Sequence, residues 1–126
     1  MQGLTQSQED YLEAIFMVRK EKGSCLLIDV AYQLAVTKSS TSVALKKLEN
    51  GGYIYRKDND ICLTRIGAEI AAEILDRHIF FTKALIEMGV SETVAAHDAC
   101  LIKHRISDET YQKVKSCCKN KSQAVC

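Results

Sequence analysis

The sequence predicts a mostly α-helical chain carrying one small β-hairpin, and three observations lead there. Apolar residues recur at helical spacing through most of the 126 residues. Glycines and capping residues mark the breaks, since the chain has no proline. Only one short stretch, residues 53–64, combines β-prone runs with a polar turn. A chain of this length that is 47% hydrophobic can build a real core, or a small domain plus an extension that pairs with a second copy. It has no run of about 18 apolar residues, and the opening MQGLTQSQED has neither a basic nor an apolar targeting region. The expectation is a soluble, cytoplasmic protein without membrane contact.

Taken in order, SQEDYLEAIFMVRKEKG reads as a helix. Ser7 with Asp10 resembles a capping box, Leu12, Ile15, Phe16 and Arg19 follow helical spacing, and Gly23 ends it. In DVAYQLAV, Val30, Ala31 and Leu34 form an apolar face. TKSSTSVALKKLENGG then opens on a Thr37 cap, sets Val43, Leu45 and Leu48 near one stripe, and stops at Gly51-Gly52. Two helices this close, the second beginning in short hydroxyl side chains, form a helix-turn-helix pattern. An ordinary helical hairpin with a serine-rich cap would read similarly from this segment alone.

The next segment favours the first reading. YIYRK and ICLT are two short β-prone runs joined by the turn Asp58-Asn59-Asp60, with Arg56 and Lys57 near the tip. A hairpin directly after a helix-turn-helix makes a wing that can reach a sugar-phosphate backbone. Charge is segregated accordingly: residues 37–65 hold six basic side chains against three acidic ones, whereas residues 1–36 hold three against five. Such a segment suits a polyanion. The expected DNA surface comprises Ser39, Ser40 and Ser42 at base edges, Val43 at a thymine methyl, and Thr37 and Lys38 near phosphates. Lys46, Lys47, Arg56, Lys57 and Arg65 are further phosphate candidates.

From Thr64 the pattern turns helical again, with Ile66, Ile70, Ile74, Arg77 and Phe81 in one stripe up to Gly89. Two more helices are expected after caps at Ser91 and Ser107. Helices left over once a winged domain is complete need a partner surface, and a homodimer supplies the simplest one. The predicted organisation is a winged helix-turn-helix domain over 1–65 and a helical dimerisation domain over 66–126. The six cysteines include no CxxC pair and read mostly as reduced small hydrophobes. Cys117, Cys118 and Cys126 fall in a tail whose thiols are either inert or responsive to oxidation or soft metal.

LTQSQEDYLEAIFMV, DVAYQLAVTKSSTSVALKKLENGGYI, ICLTRIGAEIAAEILDRH and HDACLIKHRISDE resemble, in order and spacing, the diphtheria-toxin-repressor and manganese-transport-regulator family. The resemblance covers about residues 4–110 and is to the short form, which lacks a C-terminal β-barrel. It implies a homodimeric repressor that engages operator DNA when Fe(II) or Mn(II) is bound. Carried over residue by residue, it implies Asp10, Glu13, His78, Cys100 and His104 as metal ligands. Positions that form an ancillary site in iron-type members are Thr82 and Ala96 here, and His97 is offset by one residue, so that site is absent or rebuilt.

Lys103 occupies a position where the family carries glutamate. Its ammonium cannot ligate a metal and shifts local charge by two units against a divalent cation. Three outcomes stay open: the side chain turns out to solvent and leaves a weaker site, its charge replaces the metal, or the site is abandoned. Oxygen, nitrogen and thiolate donors together suit Fe(II), Co(II), Ni(II) or Zn(II) better than a dedicated Mn(II) site. The leading expectation is a metal-responsive DNA-binding repressor. Its alternatives are a winged-helix regulator that has lost metal dependence, or a thiol-responsive one. An enzyme is disfavoured, because Cys100 and His104 have no evident oxyanion-stabilising loop or orienting third residue.

Overall fold

A threonine at position 5 starts the first helix. Its hydroxyl accepts from the Gln8 amide at 3.1 Å, and the Gln8 side chain accepts from the Thr5 amide at 3.0 Å. The capping box is therefore Thr5 with Gln8 instead of Ser7 with Asp10. The Thr-x-x-Gln pattern satisfies two otherwise orphaned donors reciprocally. Helix α1 runs over Gln6–Lys22 and ends at Gly23, whose φ of 82° is left-handed. The computed structural model describes residues 3–125, with side chains through residue 118, so Cys126 lies outside the described residues.

Helices α2 (Leu27–Leu34) and α3 (Lys38–Asn50) follow, joined by a tight turn through Ala35 at φ 56°. Asp29 caps α2 by accepting from the Leu26 amide at 2.9 Å and from the Lys22 ammonium at 3.0 Å. Thr37 caps α3 as the sequence predicts. Strands β1 (Ile54–Lys57) and β2 (Asp60–Leu63) pair antiparallel, Lys57 opposite Asp60 and Arg56 opposite Ile61. The loop is thus only Asp58 and Asn59, and Asp60 begins a strand instead of ending the turn. Beyond the wing lie α4 (Arg65–Glu87), α5 (Glu92–Arg105) and α6 (Asp108–Val125). The predicted class, mostly α with a small hairpin wing, holds.

The chain divides into two compact units, Met1–Leu75 and Asp76–Cys126. The first unit is built around Leu12, Ile15, Val30, Leu45, Leu48 and Ile61, all fully buried. These positions recur at helical spacing on α1 and α3, so each helix gives one face to one core. Ile70 and Ile74 of α4 join it, but Ile66 is 57% exposed and leaves the stripe expected for it. Gly67, one position on, is where α4 approaches the Tyr53 backbone.

In the second unit Phe81, Ala99 and Tyr111 form the centre, with Phe80, Ile102 and Val114 against it. Phe80 meets Phe81 and Tyr111 edge to face at 5.1 and 5.7 Å between ring centroids, a favoured aromatic geometry. Ser107 caps α6 by accepting from the Thr110 amide at 3.1 Å. Ser91 stands at the N-cap of α5, where its hydroxyl makes no capping bond among the described residues. No helix among the described residues is long and apolar enough to cross a membrane.

Candidate nucleic-acid interface and metal centre

On α3 the buried residues are Thr41, Leu45 and Leu48, which leaves the opposite face open. That face carries Lys38, Ser39, Ser40, Ser42, Val43, Lys46 and Lys47, all exposed. Thr37 and Ser40 hydroxyls are 2.9 Å apart, and Thr41 is turned inward, its hydroxyl donating to the Thr37 carbonyl at 2.8 Å. A groove of about 600 Å³ runs beside this turn, lined by the cap residue Thr5, by Ser7 and Gln8 of α1 and by Ser39, Ser40 and Lys47 of α3. Short polar side chains at the positive end of a helix dipole form a surface that an anion can approach closely.

The wing is held at both strands. From β1, Arg56 reaches Glu49 at the end of α3, 3.7 Å away, while Lys57 is exposed beside the tip. At β2, one Asp60 oxygen accepts from the Arg19 guanidinium at 2.7 Å and from the Cys25 amide at 2.9 Å. The amide of Cys25 and, secondarily, the charge of Arg19 hold the Asp60 carboxyl below the usual aspartate range. Arg65 pairs with Glu69 at 3.2 Å on an open face, an arrangement worth little. Two residues here had no local sequence signal. Asp60 meets a partner 41 residues away. Tyr32, which the helix periodicity leaves unassigned, stands 88% exposed on α2.

The residues carried over as metal ligands fall in both units: Asp10 and Glu13 on α1, His78 on α4, Cys100 and His104 on α5. Among the described residues no group of three or more His, Cys, Asp and Glu side chains is placed to hold a metal ion. By chemistry the set fits a borderline divalent cation, with two carboxylates, two imidazoles and a thiol. Glu13 is buried, Asp10, His78 and His104 are half-buried, and Cys100 is exposed. Glu9, which the sequence reading passed over, is buried one turn before Glu13 on the same face of α1.

Lys103 is 4% exposed, so it does not turn out to solvent. It continues a buried line of α5, Ala95, Ala99 and Lys103, at four-residue intervals. At the former ancillary positions, the Thr82 hydroxyl donates to the His78 carbonyl at 2.7 Å, a bond within α4, and Ala96 and His97 are exposed. Cys117 is exposed and Cys118 half-buried.

Comparison with known proteins adds to this geometry. Residues 3–60 match the family described as iron dependent repressor, N-terminal DNA binding domain. Residues 64–123 match iron dependent repressor, metal binding and dimerisation domain. A helix-turn-helix-type transcriptional regulator of Methanocaldococcus jannaschii is 36% identical over 115 residues, covering 89% of this chain and 92% of that protein. The regulator MntR of Bacillus subtilis is 34% identical over 111 residues, covering 87% and 78%. Among solved structures, the metal-dependent transcriptional regulator MtsR superposes with a TM-score of 0.81 at 19% identity, over 92% of this chain and 55% of that one. At that identity the superposition speaks for the fold alone.

Proposed function

Because this chain belongs to the iron-dependent repressor family, matching both of its domains, we propose that its DNA face and metal ligands are the residues assigned above. It is a metal-responsive, DNA-binding transcriptional repressor with its own dimerisation domain. The observation that carries the interface is the open face of α3, where the core-facing residues Thr41, Leu45 and Leu48 leave the three serines and Val43 outward. In this reading residues 1–65 form the DNA-binding domain and residues 66–126 the dimerisation and metal-site domain, with Asp10 and Glu13 of the first as further ligands. Ser39, Ser40, Ser42 and Val43 meet base edges. Thr37, Lys38, Lys46, Lys47, Arg56 and Lys57 meet phosphates, with Arg56 exchanging Glu49 for one of them. The chain works beside DNA in the cytoplasm and is a regulator without catalytic chemistry.

Asp10, Glu13, His78, Cys100 and His104 would hold the metal, which is Fe(II) or Mn(II), with Zn(II), Co(II) and Ni(II) as competitors. A divalent ion held there would supply fixed positive charge. The carboxylates of Asp10 and Glu13 neutralise that charge, the imidazoles of His78 and His104 donate without adding charge, and the Cys100 thiolate biases the set toward softer ions. Lys103 is the switch candidate, because its ammonium opposes cation binding from the same helix.

The test is selection of genomic fragments by the purified dimer, followed by fluorescence anisotropy with chelator, Fe(II) or Mn(II). Sequence-specific binding that needs metal is expected. Absence of DNA preference in every metal condition would overturn the DNA-binding reading. Binding indifferent to chelator would overturn the ligand assignment.

A further inference from the structure

We propose that Asp60 is a positioning residue for DNA binding, fixing where the wing presents Lys57 by fastening the first two residues of β2 to the end of α1 and the backbone of Cys25. The bonds converge from two segments. Arg19 donates through a single nitrogen to the Asp60 carboxylate at 2.7 Å and to the Ile61 carbonyl at 3.0 Å. The Cys25 amide donates to the same carboxylate oxygen at 2.9 Å, and the Ile61 amide donates back to the Cys25 carbonyl at 2.8 Å. Residues 60 and 61 are thereby held from α1 and from the α1–α2 connection at once.

The register carries this anchorage to the tip. Lys57 lies opposite Asp60 and Arg56 opposite Ile61, so the two fastened residues face the two cations of the wing. A two-stranded hairpin is marginal by itself in water, so its pose has to come from ties to the rest of the fold. Of the inward residues of the pair, Ile54 and Ile61 bury apolar surface, but burial is non-directional. Directional fixing comes from the hydrogen bonds above, and Asp60 contributes the Cys25 bond and the ion pair, whose members are both about a third exposed, at 29% and 32%. Such a pair adds little to overall stability, yet it sets an angle. Arg56 with Glu49, at 3.7 Å, is the weaker counterpart on the other strand.

The inference rests on the proposed DNA-binding reading, and the experiment separates the two. Asp60→Asn keeps the size of the side chain and an acceptor for the Cys25 amide but removes the charge that holds Arg19. Wild type, Asp60→Asn, Lys57→Ala and the double variant are compared for affinity to the selected operator across a salt series, each with its melting temperature. Asp60→Asn should weaken binding and lower the salt slope by about one ion, as loss of one phosphate contact does. Lys57→Ala should then cost at least about threefold less in the Asp60→Asn background than in wild type, the coupling expected of groups that act together.

A merely structural role predicts a lower melting temperature with an unchanged slope and multiplicative effects, and that result overturns the inference. If wild type shows no operator preference, the DNA-binding reading has failed instead. Should Asp60→Asn not fold, Arg19→Lys carries the same cycle. It keeps the charge but loses the planar fork, and it too must lower the salt slope and couple to Lys57→Ala.

Discussion

The Arg77 guanidinium donates a 2.7 Å hydrogen bond to the carbonyl of Ile106, the residue that closes α5. Arg77 is 1% exposed, its guanidinium lies 5.0 Å from the centre of the Tyr111 ring, and its second nitrogen reaches Asp108 at 3.4 Å. Arg77 precedes His78 and Ile106 follows His104 by two, so one side chain joins the stretches that carry both candidate imidazole ligands. Replacing Arg77 by Met leaves the Ile106 carbonyl without its donor and should cost about 2 kcal/mol in denaturant unfolding. Asp108→Asn should cost under about 1 kcal/mol, since that carboxylate is 72% exposed. Equal losses from the two variants would contradict this account.

Gly67 and Ala35 make an opposed pair. A Cβ on Gly67 would collide with the Tyr53 carbonyl, and the obstacle is backbone. Gly67→Ala should therefore destabilise by about 1–3 kcal/mol, as overpacking does. Ala35 has the left-handed φ of 56° between α2 and α3, a region glycine enters without penalty. Ala35→Gly should stabilise by up to about 1 kcal/mol. Urea midpoints at matched slope test both signs.

Burial pushes the Cys25 thiol up to about 12, with Asp29 adding to the effect. Its side chain is fully enclosed in the core of the first unit. At pH 8 the thiol should stay protonated and unlabelled by an alkylating reagent until the chain unfolds. Mass spectrometry of the native protein that finds Cys25 modified as fast as a free thiol would contradict the packing described.

Two carboxylates contribute to the acid limb of the stability curve. The Leu26 amide, then Lys22, holds Asp29 below its usual range, and the Cys25 amide, then Arg19, does the same for Asp60. A depressed folded value means the contribution is fully present above the ordinary aspartate value, near 4, and fades as pH falls through the lower folded one. The Asp29→Asn/Asp60→Asn variant should lose stability at neutral pH and show a flatter decline below pH 4 than wild type, measured by circular dichroism across pH.

Lys103→Glu exchanges an ammonium for a carboxylate in α5, the helix that carries the proposed ligands Cys100 and His104. Calorimetric titration with Mn(II) or Fe(II) should show binding tightened by at least about tenfold. Unchanged affinity would remove Lys103 from the account of the metal centre.

The helix-turn-helix and wing were legible because each is written locally: Thr37 caps, Gly51 stops, and a polar turn, one residue shorter than its Asp58-Asn59-Asp60 signal, joins β-prone runs. The α1 cap was misplaced by two residues because Ser7 with Asp10 and Thr5 with Gln8 both fit one pattern, and only the bonds decide. Ile66 misled through periodicity, which cannot say where along a helix its packing begins. The Arg19–Asp60 tie spans 41 residues and leaves no local trace. Of the three outcomes open for Lys103, the turn to solvent is the one its burial removes, and Ala95 and Ala99 at four-residue steps before it are a hint in the sequence that this line faces inward. The metal ligands had no independent legibility, since a carboxylate pair on one helix and a Cys-x-x-x-His on another are common separately.

The serines on α3 have a consequence for what kind of reader this protein is. A hydroxyl donates or accepts with equal ease, so in the proposed interface Ser39, Ser40 and Ser42 would each tolerate more than one base. No arginine fork, which would demand one, stands on that exposed face of α3, and its one asparagine, Asn50, is the last residue of the helix, away from the serines at its start. Discrimination built this way is gradual: a family of related sites ranked by affinity, with no single perfect word. A repressor of that kind would silence its targets in sequence as its active fraction rises, turning a graded signal into an ordered one.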